Sequence, residues 1–205
     1  INSFAIAKVN YKDKKVDILS NNNKERKKFS LKLFKENIKV GSIKTRPNMY
    51  SSELLAYKGF DGLLIEGTGL GQAPITKFDN KSAENKKIFT ALKKLSGNTT
   101  IVMSSQTIYG RIQMNVYKGG RLLQEIGVLG NYTDMTPETA YIKLAWLLSN
   151  YPKKDIKVLY GENLRGEISE RSKNVFLIWP TLNNLEDNMR NLKILNNKEV
   201  KEILK

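Results

Sequence analysis

The sequence predicts an α/β fold, a parallel sheet with flanking helices, and three observations predict it. From residue 38 onward, short apolar runs alternate with helical patterns, as in strands joined by helical crossovers. The central runs, Leu63-Leu64-Ile65 and Ile101-Val102-Met103, are apolar without alternation, which suits strands covered on both faces. Glycine- or serine-rich stretches follow those runs directly, at the edge where an open parallel sheet carries its functional loops.

Ahead of the sheet, residues 3–9 and 15–19 alternate enough to be strands, joined by the polar turn 10–14 that contains Asp13. Residues 21–28 (NNNKERKK) read as a charged, solvated loop. Residues 38–43 form the first strand of the parallel unit. Ser51 or Ser52 is placed to cap a short helix over 53–58, which Gly59 ends. Residues 61–66 form the second strand. A helix over 82–95 puts Ile88, Leu92 and Leu95 on one face, and 99–103 is the third strand. Thr136 before Pro137 starts a further helix, because Pro at the first helical position gives up an N–H that has no partner there. That helix runs to about Asn150, ahead of Pro152, with Tyr141, Leu144, Trp146 and Leu148 as its apolar stripe. Residues 155–159 begin another short helix. Leu182, Leu185, Met189, Leu192, Leu195, Ile203 and Leu204 recur at three- and four-residue steps, predicting one or two amphipathic helices over 181–205, with Asn197 capping the second. Residues 1–37 are expected to be the tail of a preceding domain, 38–175 the α/β domain, and 176–205 a helical extension.

Composition bounds the chemistry. The chain has no Cys and no His, which excludes thiol nucleophiles, disulfides, Cys/His zinc sites and imidazole base catalysis. Thr, Ser, Tyr, Lys and carboxylates remain. No eighteen-residue apolar run and no signal-peptide pattern are found, and the cytoplasm is the expected location. The 205 residues begin at Ile1, inside a predicted strand and without Met, and read as a fragment, a processed product or one half of a split gene. A net charge of +15 invites a nucleic-acid reading. Yet 28 Lys against 7 Arg, beside 21 Asn, read more simply as a solvated basic surface, with RNA contact by the lysines as the alternative.

Two loops carry the candidate site. Gly67-Thr68-Gly69-Leu70-Gly71-Gln72 follows a buried strand. A dinucleotide fingerprint needs two residues between its second and third glycines and a helix at once. Here only Leu70 intervenes, and Pro74 with the polar stretch to Lys81 delays the helix. A tight turn for chain reversal and a loop shaped for a small ligand or a neighbouring active site remain. The position at a parallel strand's carboxyl end favours the ligand, making Gly69, Leu70 and Gly71 substrate-loop candidates. Ser104-Ser105-Gln106 ends the third strand on the same rim, so Ser105 joins them, with Tyr109-Gly110-Arg111 and Asn115-Val116-Tyr117 close behind. Such groups suit a carboxylate or amide ligand, and equally suit hydrogen bonding of the loop to itself. Glu66 is a single rim carboxylate and makes no acid–base pair.

In order and spacing, FDGLLIEGTGLGQAP (60–74), IVMSSQTIYGRIQMNVY (101–117) and DMTPETAYIKLAWLL (134–148) resemble the C-terminal domain of the asparaginase/glutaminase-like amidases. The likeness runs from about Phe4 to about Ser172. Ser105-Gln106, Tyr109-Gly110-Arg111, Asn115-Val116-Tyr117 and the closing GEISERS (166–172) are similar to the D-type amidase branch of the archaeal glutamyl-tRNA(Gln) amidotransferases rather than to bacterial asparaginases. The resemblance implies an asparaginase C-terminal-like parallel sheet, preceded by the last strands of an N-terminal amidase domain. It implies amide cleavage by a Thr nucleophile that a second Thr, an Asp and a Lys activate. Ammonia from Asn or Gln would then serve a partner subunit that amidates ATP-activated Glu-tRNA(Gln).

The nucleophile's Thr-Gly-Gly-Thr context is absent here and the second Thr's context is unmatched, so the resemblance assigns both to an N-terminal half outside this chain. Alone, the chain is expected to show no amidase activity. Arg26-Lys27, ahead of Ser30 and Phe34, follow the family pattern and put Lys27 on the catalytic Lys. Lys28-Phe29 stand where His-Thr is expected, and Lys24 and Lys28 compete for the role. A lysine shares a Thr proton only where burial or a nearby cation lowers its pKa. Leu70 stands where simple asparaginases place an Asn that reaches a neighbouring subunit's substrate. The implied partners are the Thr-bearing half, a tRNA-binding kinase/transamidase subunit and a second copy in a homodimer, with tRNA met indirectly and no membrane. The chain itself is expected to bind no cofactor and no metal; ATP and Mg belong to the partner subunit. Rival readings are a fragment of a plain L-asparaginase, a non-catalytic basic α/β RNA-binding module and a nucleotide oxidoreductase.

Overall fold

A computed structural model describes residues 7–18 and 30–169. Lys27 with its competitors Lys24 and Lys28, the whole of the charged loop 21–28, and the helical tail 181–205 lie outside the described residues. The first described element is a hairpin, β1 (Ala7–Asn10) and β2 (Lys15–Ile18), antiparallel with Ala7 opposite Ile18. Its turn is held by Asn10, whose side-chain oxygen accepts the N–H groups of Lys12 and Asp13, and Lys14 takes φ 52° to close it.

The parallel sheet has the order β3-β4-β5, from β3 (Val40–Lys44), β4 (Gly62–Gly67) and β5 (Thr100–Ser105). Val40 lies beside Gly62, and Gly62 beside Thr100. The unbroken apolar runs are explained by the pleat, which sends alternate residues to opposite faces. Leu63, Ile65, Ile101 and Met103 enter one core with Leu54 of α1 (Ser51–Leu55), Ile88, Leu92 and Leu95 of α2 (Ala83–Ser96), and Leu123 of α3 (Lys118–Glu125). Leu64 and Val102 enter the other, with Ala140, Leu144 and Leu147 of α4 (Pro137–Asn150) and Ile156 of α5 (Lys153–Leu159). The result is a three-layer α/β arrangement with the sheet covered on both sides. Among the described residues no helix is long and apolar enough to cross a membrane.

Several expectations shift. The short helix begins at Ser51 and ends at Leu55, and its cap position is Tyr50 rather than Ser51 or Ser52. The Glu53 carboxylate reaches back to accept the Tyr50 N–H at 2.8 Å, while Ser51 turns away to Glu84. The capping by Thr136 holds, its hydroxyl accepting the Thr139 N–H. The final described helix starts at Lys153, two residues ahead of the expected Asp155. α3 has no counterpart among the expected elements. On α4 the fully buried positions are Ala140, Lys143, Leu144, Ala145, Leu147 and Ser149, while Tyr141, Trp146 and Leu148 are only partly covered.

The segment preceding β3 is strapped along α4. Trp146 and Asn150 donate to the carbonyls of Lys32 and Leu33, and the Lys35 N–H donates to the Ser149 hydroxyl. Between this strap, α4 and the turn at 164–167 opens a cavity of about 580 Å³, walled by Leu31, Phe34, Ile142 and Trp146 and reaching the buried Lys143–Glu167 ion pair.

Candidate functional site

The carboxyl ends of the three parallel strands form one hydrogen-bonded rim. β4 ends at Gly67, and the chain turns back at once: the Thr68 N–H donates to the Gln72 carbonyl, while the Thr68 carbonyl accepts the N–H groups of Gly71 and Gln72. The turn requires glycine, since Gly69 and Gly71 take φ 51° and 90°. At Gly71 a Cβ would stand 3.0 Å from both Met103 Cγ and Ile112 Cγ2, so backbone and packing exclude a side chain there together.

β5 delivers its end to the same place. Ser105 Oγ lies 2.6 Å from the Gly69 carbonyl as donor and accepts the Thr107 N–H at 3.1 Å. The Gln106 N–H donates to the Gly67 carbonyl, and the Gln113 N–H to the Leu70 carbonyl. From its side chain, Gln106 Nε2 reaches the carbonyls of Thr45 at 2.7 Å and Glu66 at 2.8 Å, linking the ends of β3 and β4. Thr45 is buried, and its own hydroxyl donates to the Glu66 carbonyl. Gly69, Leu70, Gly71 and Ser105 therefore sit together, on one edge of the sheet.

The polar groups read from the sequence are largely spent on this bracing. Arg111 donates to the carbonyls of Tyr132 and Ser169 and pairs with Asp134 at 3.4 Å. Asn115 donates to the Tyr132 hydroxyl and accepts from Gln124. Glu66 pairs with Lys44 at 3.4 Å and accepts the Ser42 hydroxyl. Thr133-Asp134, the one Thr-Asp dipeptide in the sequence, is structural: the Thr133 hydroxyl donates to the Gly130 carbonyl, and Asp134 holds Arg111 and the Ser169 N–H. The rim turns apolar and aromatic side chains to solvent, namely Ile108, Tyr109, Val116, Tyr117 and Tyr132, beside the exposed polar Thr68, Gln106 and Thr107. Two buried amide atoms of its loops, Gln72 Nε2 and Gln113 Oε1, have no hydrogen-bond partner among the described residues. The described rim can shape and cover a ligand, but it offers no nucleophile paired with a base. Nor does it have the dinucleotide arrangement of a glycine turn that opens directly into a helix, since the next helix in sequence begins only at Ala83.

Sequence reading missed Thr45, whose signal is weak, a lone Thr just past a strand end. It also missed Lys143, although Lys143 stands at i+3 from Ala140 within an otherwise apolar helix. Burial lowers the Lys143 pKa. On Glu167, burial works to raise the pKa, but hydrogen bonds from Lys143, Leu164 and Arg165 outweigh it and hold the carboxyl below its usual range.

Comparison with known proteins bears on this architecture. A family model described as the glutaminase/asparaginase C-terminal domain matches residues 39–159. The chain is 38% identical over 175 residues to the D-type subunit of glutamyl-tRNA(Gln) amidotransferase from Methanococcus maripaludis, covering 83% of this chain and 39% of that protein. It is 38% identical over 173 residues to the protein of the same name from Sulfolobus acidocaldarius, covering 82% and 36%. The chain thus spans about two fifths of the length of these curated relatives. Among solved structures, the thermostable L-asparaginase from Thermococcus kodakarensis superposes with a TM-score of 0.65 at 27% identity, over 83% of this chain and 49% of that one. The chain belongs to the glutaminase/asparaginase family, whose C-terminal domain it carries.

Proposed function

We propose that this chain supplies the C-terminal part of the amidase subunit of a tRNA-dependent amidotransferase, helping to release ammonia from Asn or Gln for the conversion of Glu-tRNA(Gln) to Gln-tRNA(Gln). The observation that carries the reading is the braced rim, where the glycine turn and Ser105 are hydrogen-bonded into one edge at the carboxyl ends of parallel strands. A ligand contacting that edge meets a preformed surface. Identity to relatives named as amidotransferase subunits, at 38%, supports this over a plain asparaginase, for which the Thermococcus kodakarensis structure is 27% identical.

The nucleophile, its activating Thr and Asp, and the ATP- and Mg-dependent step belong in this reading to other polypeptide: a Thr-bearing half and a transamidase subunit that meets the tRNA. Residues 1–37 are read as the end of the Thr-bearing domain, with Lys27 as the lysine it needs. The assembled subunit is a homodimer, and the location is the cytoplasm. This chain's contribution is shape. Its rim covers the amide substrate and excludes water, which strengthens every electrostatic interaction in the pocket.

The test is reconstitution. The purified chain is mixed with a polypeptide carrying the Thr-Gly-Gly-Thr segment of a relative, and ammonia release from Asn and Gln is followed. Activity is expected only in the mixture. Ammonia released by this chain alone sinks the assignment, and so does a mixture that forms a complex yet stays inactive while the relative's intact subunit is active.

A further inference from the structure

The rim uses none of the chain's excess positive charge, and part of that charge is gathered in one place. Between α1 and α2 lies a trough of about 520 Å³ with Lys77, Lys86, Lys87 and Lys94 around it. On α2, Lys86, Lys87, Thr90, Ala91 and Lys94 share a face, being three and four residues apart. The short side chains of Thr90 and Ala91 leave a hollow between the lysines. Lys87 pairs with Glu84 at 3.0 Å, and Glu84 is also taken up by the Ser51 hydroxyl and N–H. The side-chain ammonium groups of Lys77, Lys86 and Lys94 have no ion pair or hydrogen bond among the described residues, and all three residues are exposed. Like charges held around a concavity repel one another and focus a positive field, which a polyanion relieves. Lys86 and Lys94 are separated by about 12 Å along the helix axis, a line of charge that fits successive phosphates better than one compact anion.

A second observation selects among polyanions. Phe78, the residue after Lys77, is 84% exposed. It does not hang on a loose loop. The N–H groups of Phe78 and Asp79 both donate to Ser82 Oγ at 2.9 Å, and the Ser82 N–H donates to Asp79 Oδ1 at 2.8 Å. A bare aromatic ring on a braced turn, next in sequence to a lysine that lines the trough, is the pairing that stacks an unpaired base while cations hold its backbone. A lipid surface fits less well, because the apolar residues of α2, Ile88, Leu92 and Leu95, are buried in the core and offer no inserting face. Lysines without arginine suit backbone contact rather than base readout.

We propose that the α1–α2 trough binds the phosphate backbone of single-stranded RNA, with Phe78 stacking on an unpaired base at its edge. This site is independent of the amidase reading, and reconstituted ammonia release does not test it.

Fluorescence anisotropy of the full chain with a labelled oligouridylate of about 15 nucleotides, at about 50 to 200 mM salt, reads both parts. The triple variant Lys77→Gln/Lys86→Gln/Lys94→Gln is expected to flatten the slope of log K against log salt by about 2, three contacts at about 0.7 each. Phe78→Ala is expected to weaken single-stranded binding about 5- to 100-fold with the slope unchanged, and to leave duplex of equal length unaffected. A second triple variant on other faces, Lys118→Gln/Lys154→Gln/Lys157→Gln, should change the slope far less. Equal losses in the two triples mean diffuse attraction and overturn the proposal. So does a wild-type chain that does not bind the RNA, or a trough variant that keeps RNA binding but loses binding to phosphatidylserine vesicles.

Discussion

Replacing Lys143 by Met tests whether the second core is held by a buried ion pair. The Lys143 side chain is 5% exposed and that of Glu167 13%, with 2.7 Å between their charged atoms. Lys143 Nζ also donates to the Glu162 carbonyl, while Glu167 accepts the N–H groups of Leu164 and Arg165 at 3.0 and 2.6 Å. Lys143→Met keeps the unbranched apolar stem and removes the terminal charged nitrogen, leaving a carboxylate and a carbonyl in the interior short of a donor. Breaking a buried pair from one side costs about 3–5 kcal/mol. The two backbone donors that remain on Glu167, and the neighbouring cavity that admits water, place the expectation at the lower end, about 3 kcal/mol. With a urea dependence of about 2 kcal/mol per molar, the unfolding midpoint falls by about 1.5 M. Trp146, on the same helix, reports the transition by fluorescence. The double variant Lys143→Met/Glu167→Gln should recover a good part of the loss, because no charge is then stranded. A midpoint shift under about 0.4 M for Lys143→Met, or strictly additive losses in the double variant, refutes the reasoning.

Three further outcomes follow from the structure. Gly71→Ala forces a side chain onto a residue at φ 90° with Met103 and Ile112 already 3.0 Å from the new carbon, so a loss of about 1–3 kcal/mol is expected, read as a lowered Tm. Gly97→Ala, at the ordinary helical φ of −61°, should instead leave the Tm unchanged or slightly raised. The Glu84 carboxyl is held down to about 2, chiefly by the Ser51 hydroxyl and Ser51 N–H and then by Lys87. Its folded pKa is below the unfolded value of 4.5, so its contribution is fully present above 4.5 and is lost as pH falls through about 2. Glu84→Gln should flatten that acid limb, and a side-chain NMR titration of Glu84 with a midpoint near 4 contradicts the assignment.

The strands and the turn chemistry were legible because they depend on local rules. Unbroken apolar runs mark doubly covered strands, and glycines mark positive φ, so the rim could be located from residues 60–74 and 101–106 alone. Its partners could not. Gln106 meets Thr45 from 61 positions away, and whether Ser105 would serve a ligand or the loop depended on where Gly69 came to rest. α3 escaped notice because Gly119 and Gly120 occupy its first turn, each costing about 1 kcal/mol of helix propensity. Tertiary anchors override that cost: Leu123 is fully buried, and Arg121 donates to the carbonyls of Asn115 and Val116. Ser51 was a reasonable cap by local preference, but a carboxylate 33 residues on claimed its hydroxyl and left Tyr50 and Glu53 to begin the helix. The burial of Lys143 depended on a segment beyond α4 bringing Glu162 and Glu167 across it.

The geometry at Gln106 has a consequence for chemical ageing. Its side-chain nitrogen meets only oxygens: the Thr45 and Glu66 carbonyls and, more distantly, the Thr45 hydroxyl. Deamidation at this solvent-accessible position would replace two donated protons with lone pairs and a negative charge, facing carbonyls that accept but never donate. The ends of the first two parallel strands would then be repelled from the loop that joins them, without loss of a single apolar contact. In an aged preparation the change would show as a one-dalton mass increase on the peptide containing Gln106.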